Sequence, residues 1–266
     1  FHDDQHGTAI VLLAALINAA KVIDRKLTDM RVVINGAGAA GTAIARLLRC
    51  VGHDPSVCQA VLDVVVCDSR GAIHRDREGL SPEKTQLLAY TNRENRHGNL
   101  ADVMVDADVF IGVSKGNLLK PSHIQSMSAQ PIILAMANPI PEIMPADAIA
   151  AGAAIVGTGR SDFPNQVNNV LAFPGIFRGA LDSRSKRISE EMKIAAAHAL
   201  AACVHEPTAE MILPNPLDQT VAPSVAAAIT DQASRQQTSE KLYLRKCLLE
   251  HISGGCQHRK TKVNRV

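Results

Sequence analysis

The chain has no tryptophan, two tyrosines and five phenylalanines among its 266 residues. Surfaces that bind single-stranded nucleic acid stack bases on aromatic rings, so this scarcity argues against one. Six cysteines (Cys50, Cys58, Cys67, Cys203, Cys247 and Cys256) form no C-x-x-C pair. That excludes a dense disulfide scaffold and zinc-ribbon spacing, and a reducing, cytoplasmic setting fits best. Long apolar runs are missing as well. The run from Thr8 to Ala20 is broken by Asn18 and falls short of the ~20 residues a bilayer span needs. It follows acidic residues, where a secretory signal would carry basic ones. Neither a membrane nor a nucleic-acid partner is expected. Charge is nearly balanced at +2, but from Arg235 on eight Lys or Arg stand against two Glu, leaving about −4 on the rest. A nucleic-acid binder carries its basic excess on the folded body. Here the excess lies in residues 236–266, which read as a solvated, disordered tail.

What is abundant is small and aliphatic, which suits helices covering a buried parallel sheet. Residues 8–23 read as a buried helix, and strands are predicted at 31–35, 61–67, 107–113, 131–137 and 153–156. Helices are predicted over 42–51, from Ser81-Pro82, near Pro121 and from Pro145. Gln166 to Leu181 reads as helix interrupted at Pro174-Gly175, and two more helices cover 189–204 and 221–235. Strands alternating with helices imply right-handed crossovers. The expected fold is α/β, a doubly wound (Rossmann-type) parallel sheet with helices on both faces and a helical C-terminal part.

Gly36-Ala-Gly38-Ala39-Ala40-Gly41 fits G-x-G-x-x-G. Alone the pattern is weak, and a glycine-rich turn that binds nothing would also show it. Here it follows a strand, opens a helix and precedes a second strand ending in an acid. In that setting the first glycine makes the turn and the second lets the backbone approach a pyrophosphate. The third lets helix and strand pack, and the free N–H groups of the helix start face the phosphates. Asp68 is the candidate ribose ligand, 27 residues after Gly41 because the connection at 52–60 is long. An acid there favours NAD, whereas Arg70 would pair with the 2′-phosphate of NADP; either cofactor stays open. Asp68 also reads as a surface acid at a strand end.

Two further strands end in Ile111-Gly112-Val-Ser114 and Met136-Ala-Asn138-Pro139. In a doubly wound sheet such ends form the ligand crevice. Gly112 would let a cofactor pass close, with Ser114 beside it, and Asn138 would bond the nicotinamide side or a small polar substrate. A turn-forming Asn before Pro is the plainer alternative. Asp3 and Asp4 precede a helix and read either as N-terminal capping acids or as part of a Mg²⁺ or Mn²⁺ site. Asn165, Asn168 and Asn169 lead into a helix and exceed what one cap requires; neutral amides orient a small dicarboxylate without adding charge.

Together, Phe1-His-Asp-Asp-Gln-His-Gly-Thr8, the glycine turn, Ala137-Asn-Pro139, Gly159-Arg-Ser-Asp-Phe-Pro-Asn165 and Asn168-Asn-Val-Leu-Ala-Phe-Pro-Gly175 resemble malic enzymes of the bacterial type. The likeness covers residues 1–235. These divide into a leading helix with the Asp pair (1–24), a Rossmann core (30–160) and a helical part (161–235). The resemblance implies oxidative decarboxylation of L-malate to pyruvate and CO₂, reduction of NAD or NADP, need of Mg²⁺ or Mn²⁺, and a homo-oligomer. It makes Asp4 a metal ligand and Asp3 a catalytic neighbour, and it places Thr8 near the nicotinamide. Asn138, Asn168 and Asn169 become substrate ligands. The family's general-base Lys, general-acid Tyr and an acidic pair of metal ligands precede this stretch, so the chain is expected to be an N-terminally truncated half, inactive alone. A metal-free dehydrogenase, such as an amino-acid dehydrogenase, and a non-catalytic nucleotide-binding module are the alternatives.

Overall fold

Successive side chains of a strand point to opposite faces, and here both faces are apolar, so each strand needs helices above and below it. A computed structural model describes residues 1–53 and 58–252, those from 239 on as helix backbone only. Its strands are β1 (Arg31–Asn35), β2 (Asp63–Asp68), β3 (Gly71–Ala72), β4 (Val109–Gly112), β5 (Ile132–Ala135) and β6 (Ile155–Thr158). They form one sheet in the order β3-β2-β1-β4-β5-β6. β1 pairs in parallel with β2 and β4, β4 with β5 and β5 with β6, while β3 runs antiparallel to β2. Ile34, Val66, Ile111, Leu134 and Ile155 face one core, with α1 (Thr8–Val22), α2 (Ala39–Leu48), α8 (Glu190–Ala202) and α9 (Val221–Ile252). Val33, Val65, Phe110, Ile133 and Val156 face the other, with α4 (Leu100–Met104), α5 (Pro121–Gln125) and α6 (Pro145–Ala150). α3 (Pro82–Leu87) and α7 (Phe173–Asp182) complete the described helices. The chain leaves β1 toward β2 and β3, then returns to build β4, β5 and β6 on the other side. A crevice therefore opens between the carboxyl ends of β1 and β4.

α1 is the central helix. A helical turn, Asp3–Gly7, precedes it, so the helical run reaches 20 residues and is, by length and composition only, long and apolar enough to cross a membrane. That is longer than the expected stretch, yet Ile10, Leu12 and Leu16 are fully buried inside the protein. Asn18, which interrupts the apolar pattern, is fully buried too. Its carboxamide donates to the carbonyls of Ala201 (2.9 Å) and Ile212 (3.0 Å) and accepts from Lys21 (3.0 Å). One polar side chain thus fastens α1 to α8 and to the segment behind it.

Several expectations need correction. α2 starts at Ala39, three residues before the expected Thr42, because Gly38 is already its extended N-cap. Pro174 occupies the first turn of α7 and starts it instead of interrupting a helix. Gly175 is small because a Cβ there would lie 2.6 Å from the Cβ of Val225 in α9. α9 does not stop at 235 but continues to Ile252, into the segment read as disordered tail; residues 253–266 lie outside the described ones. Against the expectation of a reduced set, Cys50 and Cys58 are joined, while Cys67 and Cys203 are free. The side chains of Cys247 and Cys256 lie outside the described residues. β3 and α4 were not expected; both are too short to show a period. α4 is set by its capping box, in which Asn99 Oδ1 accepts from the backbone of Ala101 (2.8 Å) and Asp102 Oδ2 from that of Asn99 (2.7 Å).

Asn18→Ala takes the side-chain donor from both carbonyls; Ala201 keeps the Val204 N–H (3.2 Å), while Ile212 loses its side-chain partner in the core. The expected outcome is a stability loss of about 1–3 kcal/mol, read as a lower denaturant midpoint; an unchanged midpoint would show that the fastening contributes nothing.

Candidate functional site

The crevice is built around the turn from β1 into α2. Gly36 takes φ +134°, and a Cβ on it would fall 2.8 Å from the Val113 carbonyl oxygen. Gly41 is held harder, since its Cβ would lie 1.8 Å from the Gly36 carbonyl oxygen. Gly38 is different: nothing lies within 4 Å of a Cβ placed there. No side chain caps α2, whose first turn is Ala39, Ala40 and Gly41, so its N–H groups and positive dipole end are open to an anion. The adjoining cleft has a volume of about 870 Å³ and is lined by Asn35, Gly36, Gly38, Asp68, Lys84 and Ser114 among others. Across its floor the Asn35 carboxamide donates to Ser114 Oγ (2.9 Å), joining the ends of β1 and β4.

Asp68 ends β2 inside this cleft. Its Oδ1 accepts from Arg77 (2.6 Å) and from the backbone N–H of Arg70 (2.9 Å), and its Oδ2 from Arg77 (2.7 Å) and Lys84 (2.5 Å). Burial alone would raise its pKa. The donors from Arg77, Lys84 and the backbone outweigh that and bring it down to about 2. Two acceptor sites on each oxygen are therefore taken. The Arg70 side chain is exposed at the cleft wall.

The side of Gly112 where a Cβ would stand is taken. A Cβ on it would lie 2.2 Å from the carboxyl carbon of Glu142, so the protein itself fills that space. Glu142 is fully buried, accepts from the backbone of Ala137 (3.0 Å) and Ser114 (3.5 Å), and burial raises its pKa. Asn138 is exposed, in a cis peptide with Pro139, and is not among the residues lining the cleft.

The opening carboxylates lie against the asparagine segment. Asp3 Oδ2 accepts from the Asn169 carboxamide, 166 positions away in sequence. Asp3 Oδ1 is buried without a partner, and it lies over Gly7, where a Cβ would come within 2.1 Å of that oxygen and force the carboxylate to shift. Burial raises the Asp3 pKa; the Asn169 bond lowers it and the charge of Asp4 raises it again. Asp4 is exposed beside it, Thr8 opens α1 half-buried, and neither aspartate caps the helix. The three asparagines separate by task. Buried Asn165 donates to the carbonyls of Val156 (3.0 Å) and Ala209 (2.7 Å) and accepts from Ile212 (2.8 Å), so it serves the fold. Asn168 Oδ1 caps the next turn through Val170 N–H (3.0 Å), and Asn169 reaches Asp3. A buried carboxylate oxygen without a partner, next to an exposed carboxylate, is a donor set that suits a hard divalent cation.

Sequence reasoning missed Arg77, Lys84 and Glu142. Lys84 showed only as a residue of a capped helix start. Arg77 lies in a polar stretch without period. Glu142 follows Asn138-Pro-Ile-Pro141, where turn chemistry hid a buried acid.

A doubly wound sheet with a glycine-built turn at its switch point defines an NAD(P)-binding domain of the Rossmann class. The family described as "Malic enzyme, NAD binding domain" matches residues 5–234, and the chain belongs to the malic enzyme family. It is 56% identical over 236 residues to the bifunctional malic/malolactic enzyme of Bacillus subtilis, covering 88% of this chain and 56% of that protein. It is 41% identical over 250 residues to the NADP-dependent malic enzyme of Haemophilus influenzae, covering 88% and 32%. The crystal structure of the NAD-dependent malic enzyme of Thermotoga maritima superposes with a TM-score of 0.80 at 44% identity, over 86% of this chain and 59% of that one. The chain spans between a third and three-fifths of these relatives.

Two glycines can be told apart by experiment. Gly41→Ala forces α2 off the end of β1, with an expected cost of about 1–3 kcal/mol or more in chemical denaturation. Gly38→Ala leaves stability nearly unchanged but weakens dinucleotide binding roughly tenfold, read by fluorescence titration; equal effects of the two would contradict the geometry. Asp68 supplies a pH test. Its folded pKa of about 2 lies below the ordinary 3.8, so its stabilisation is complete above that ordinary value and disappears as pH falls toward 2. The expected loss is about 2 kcal/mol across that window, with a carboxyl NMR titration midpoint near 2; a midpoint near the ordinary value would refute it.

Proposed function

We propose that the protein containing these residues oxidatively decarboxylates L-malate to pyruvate and CO₂ while reducing NADP⁺ or NAD⁺, and that it requires Mg²⁺ or Mn²⁺. The observation that carries this reading is the Asp3–Asn169 bond, which brings the opening carboxylates onto the asparagine segment. Gly36, Gly38 and the first turn Ala39-Ala40-Gly41 hold the pyrophosphate, with Ser114 and Thr8 toward the nicotinamide. Asp4 is a ligand of the divalent ion and Asp3 stands beside the reacting centre, held by Asn169. Asn138, Asn168 and Asn169 orient the malate carboxylates with neutral amides. When bound, the ion polarises the substrate carbonyl as an electron sink and the nicotinamide takes up the hydride. Residues 1–266 supply dinucleotide binding and the Asp3–Asp4 share of the site; malate turnover belongs to the longer protein. Phe1 and Phe173 both pack on Phe177, at 5.6 and 5.2 Å between ring centroids. This partly exposed strip on α7 supports association as a homo-oligomer.

The saturated Asp68 favours NADP⁺. A ribose hydroxyl would find no free acceptor on that carboxylate, whereas a 2′-phosphate would meet Arg70 and Lys84 on the cleft wall, beside an acid whose charge Arg77 already balances. The relatives include both NAD- and NADP-dependent enzymes.

The test is a steady-state assay of the full-length protein with malate, Mn²⁺ and each dinucleotide, beside a binding titration of residues 1–266. The expected result is metal-dependent formation of pyruvate, lost on chelation and reduced on the order of a hundredfold or more in Asp4→Asn. Lys84→Ala should raise KM for NADP⁺ about tenfold and leave NAD⁺ nearly unaffected. Turnover insensitive to chelation would overturn the metal assignment, and an unchanged NADP⁺ constant the cofactor assignment.

A further inference from the structure

One cluster has no part in the cleft or the carboxylate site. His74, Asp76 and His97 each offer a ligand atom, and these atoms lie within 4.8 Å of one another. The two imidazoles stack at 3.9 Å between centroids, 26° from parallel, and His97 Nε2 lies 3.1 Å from Asp76 Oδ2. His74 Nδ1 is buried and has no hydrogen-bond partner, a state that calls for an explanation in a native protein. The bland reading is a surface His–Asp pair with a second ring laid over it. That reading leaves the buried nitrogen unsatisfied and does not explain why the backbone beneath is so tightly braced.

The bracing joins two loops. Residues 73–77 follow edge strand β3, and residues 92–98 precede α4. Asn92 and Asn95 hold left-handed φ of 49° and 53°. Asn92 donates to the carbonyls of Ile73 (2.9 Å) and Arg96 (2.9 Å) and accepts from Arg96 N–H (2.7 Å). Asn95 accepts from Arg75 N–H (2.8 Å) and donates to Asp76 Oδ2 (2.6 Å). The Ala72 N–H donates to the Gly98 carbonyl (2.9 Å). The same Asn95 Nδ2 lies 3.2 Å from His97 Nε2, so one amide positions both the carboxylate and the imidazole, the part outer partners play for metal ligands.

We propose that His74, Asp76 and His97 form a binding site for a divalent transition-metal ion of the Zn²⁺ class. Two imidazole nitrogens and one carboxylate oxygen suit Zn²⁺, Ni²⁺ or Cu²⁺, whereas Mg²⁺ and Ca²⁺ seek oxygen-only shells. Ligands about 2.1 Å from a common centre stand roughly 3.4 Å apart in a tetrahedron; the His97–Asp76 pair is already at that scale, and both side chains are more than half exposed and free to adjust. Water would complete the shell. The same loop carries Arg77, which clamps Asp68, so an ion here would brace the ribose end of the cleft from outside. The proposal does not rest on the reading of the cleft.

The test is calorimetric titration of the 266-residue chain with ZnCl₂ in excess MgCl₂, which fills oxygen-only sites, with histidine imidazole NMR resonances followed in parallel. The expected result is one strong Zn²⁺ site whose saturation shifts the His74 and His97 resonances. Asn95→Ala should weaken it roughly tenfold to hundredfold, and His97→Ala and Asp76→Asn by more, with circular dichroism showing that each variant folds. Unmoved His74 and His97 resonances at saturating Zn²⁺, or binding by folded His97→Ala and Asp76→Asn at wild-type strength, would overturn it.

Discussion

The site depends on one close approach, that of the Gly41 Cα to the Gly36 carbonyl. Any side chain at Gly41 would occupy the same space as that oxygen, so α2 can sit on the end of β1 only because a hydrogen stands where others have a carbon. That contact aims the first turn of α2 at the crevice and leaves Gly38 facing open space. The sheet order creates the crevice, and the Asn35–Ser114 bond joins its two sides, but the glycine contact makes its wall a row of backbone donors. Two glycines serve packing and the third faces open space, although the three look alike in the sequence.

Charge in the cleft is set by neighbours instead of by the most visible acid. Asp68 would seem to repel a second phosphate, yet Arg77 and Lys84 surround it, and the local balance becomes positive. Glu142 shows the opposite treatment. It is buried with backbone donors alone among its hydrogen-bond partners, and burial keeps its carboxyl toward the neutral form. Two acids on the carboxyl-end side of one sheet are thus shifted in opposite directions, because one meets cations and the other backbone donors.

The strands, the glycine turn and the long helices were legible in the sequence because each has a period or a fixed turn chemistry. Arg31–Asn35 matched the strand to the residue, and Ser81-Pro82 the start of α3. Where energy came from distant pairing, the sequence was silent. Nothing local says that Asn18 will bond two carbonyls nearly two hundred residues on, that Arg77 will clamp Asp68, or that Glu142 will fill the space over Gly112. The asparagine segment was read as one polar group; its members separate only once Val156, Ala209 and Asp3 are brought beside them. The end of α9 is not legible either, because a basic terminal segment has the composition of a solvated tail whether or not it is helical.

Both rims of the sheet are blunt. β3 offers two residues, and beyond β6 the chain folds back so that Val167 N–H meets the Thr158 carbonyl (2.8 Å) and Thr158 N–H that of Asn165 (3.3 Å). An extended strand from another molecule finds no row of free backbone groups to read. Among the described residues the sheet thus offers only short edges to an added strand.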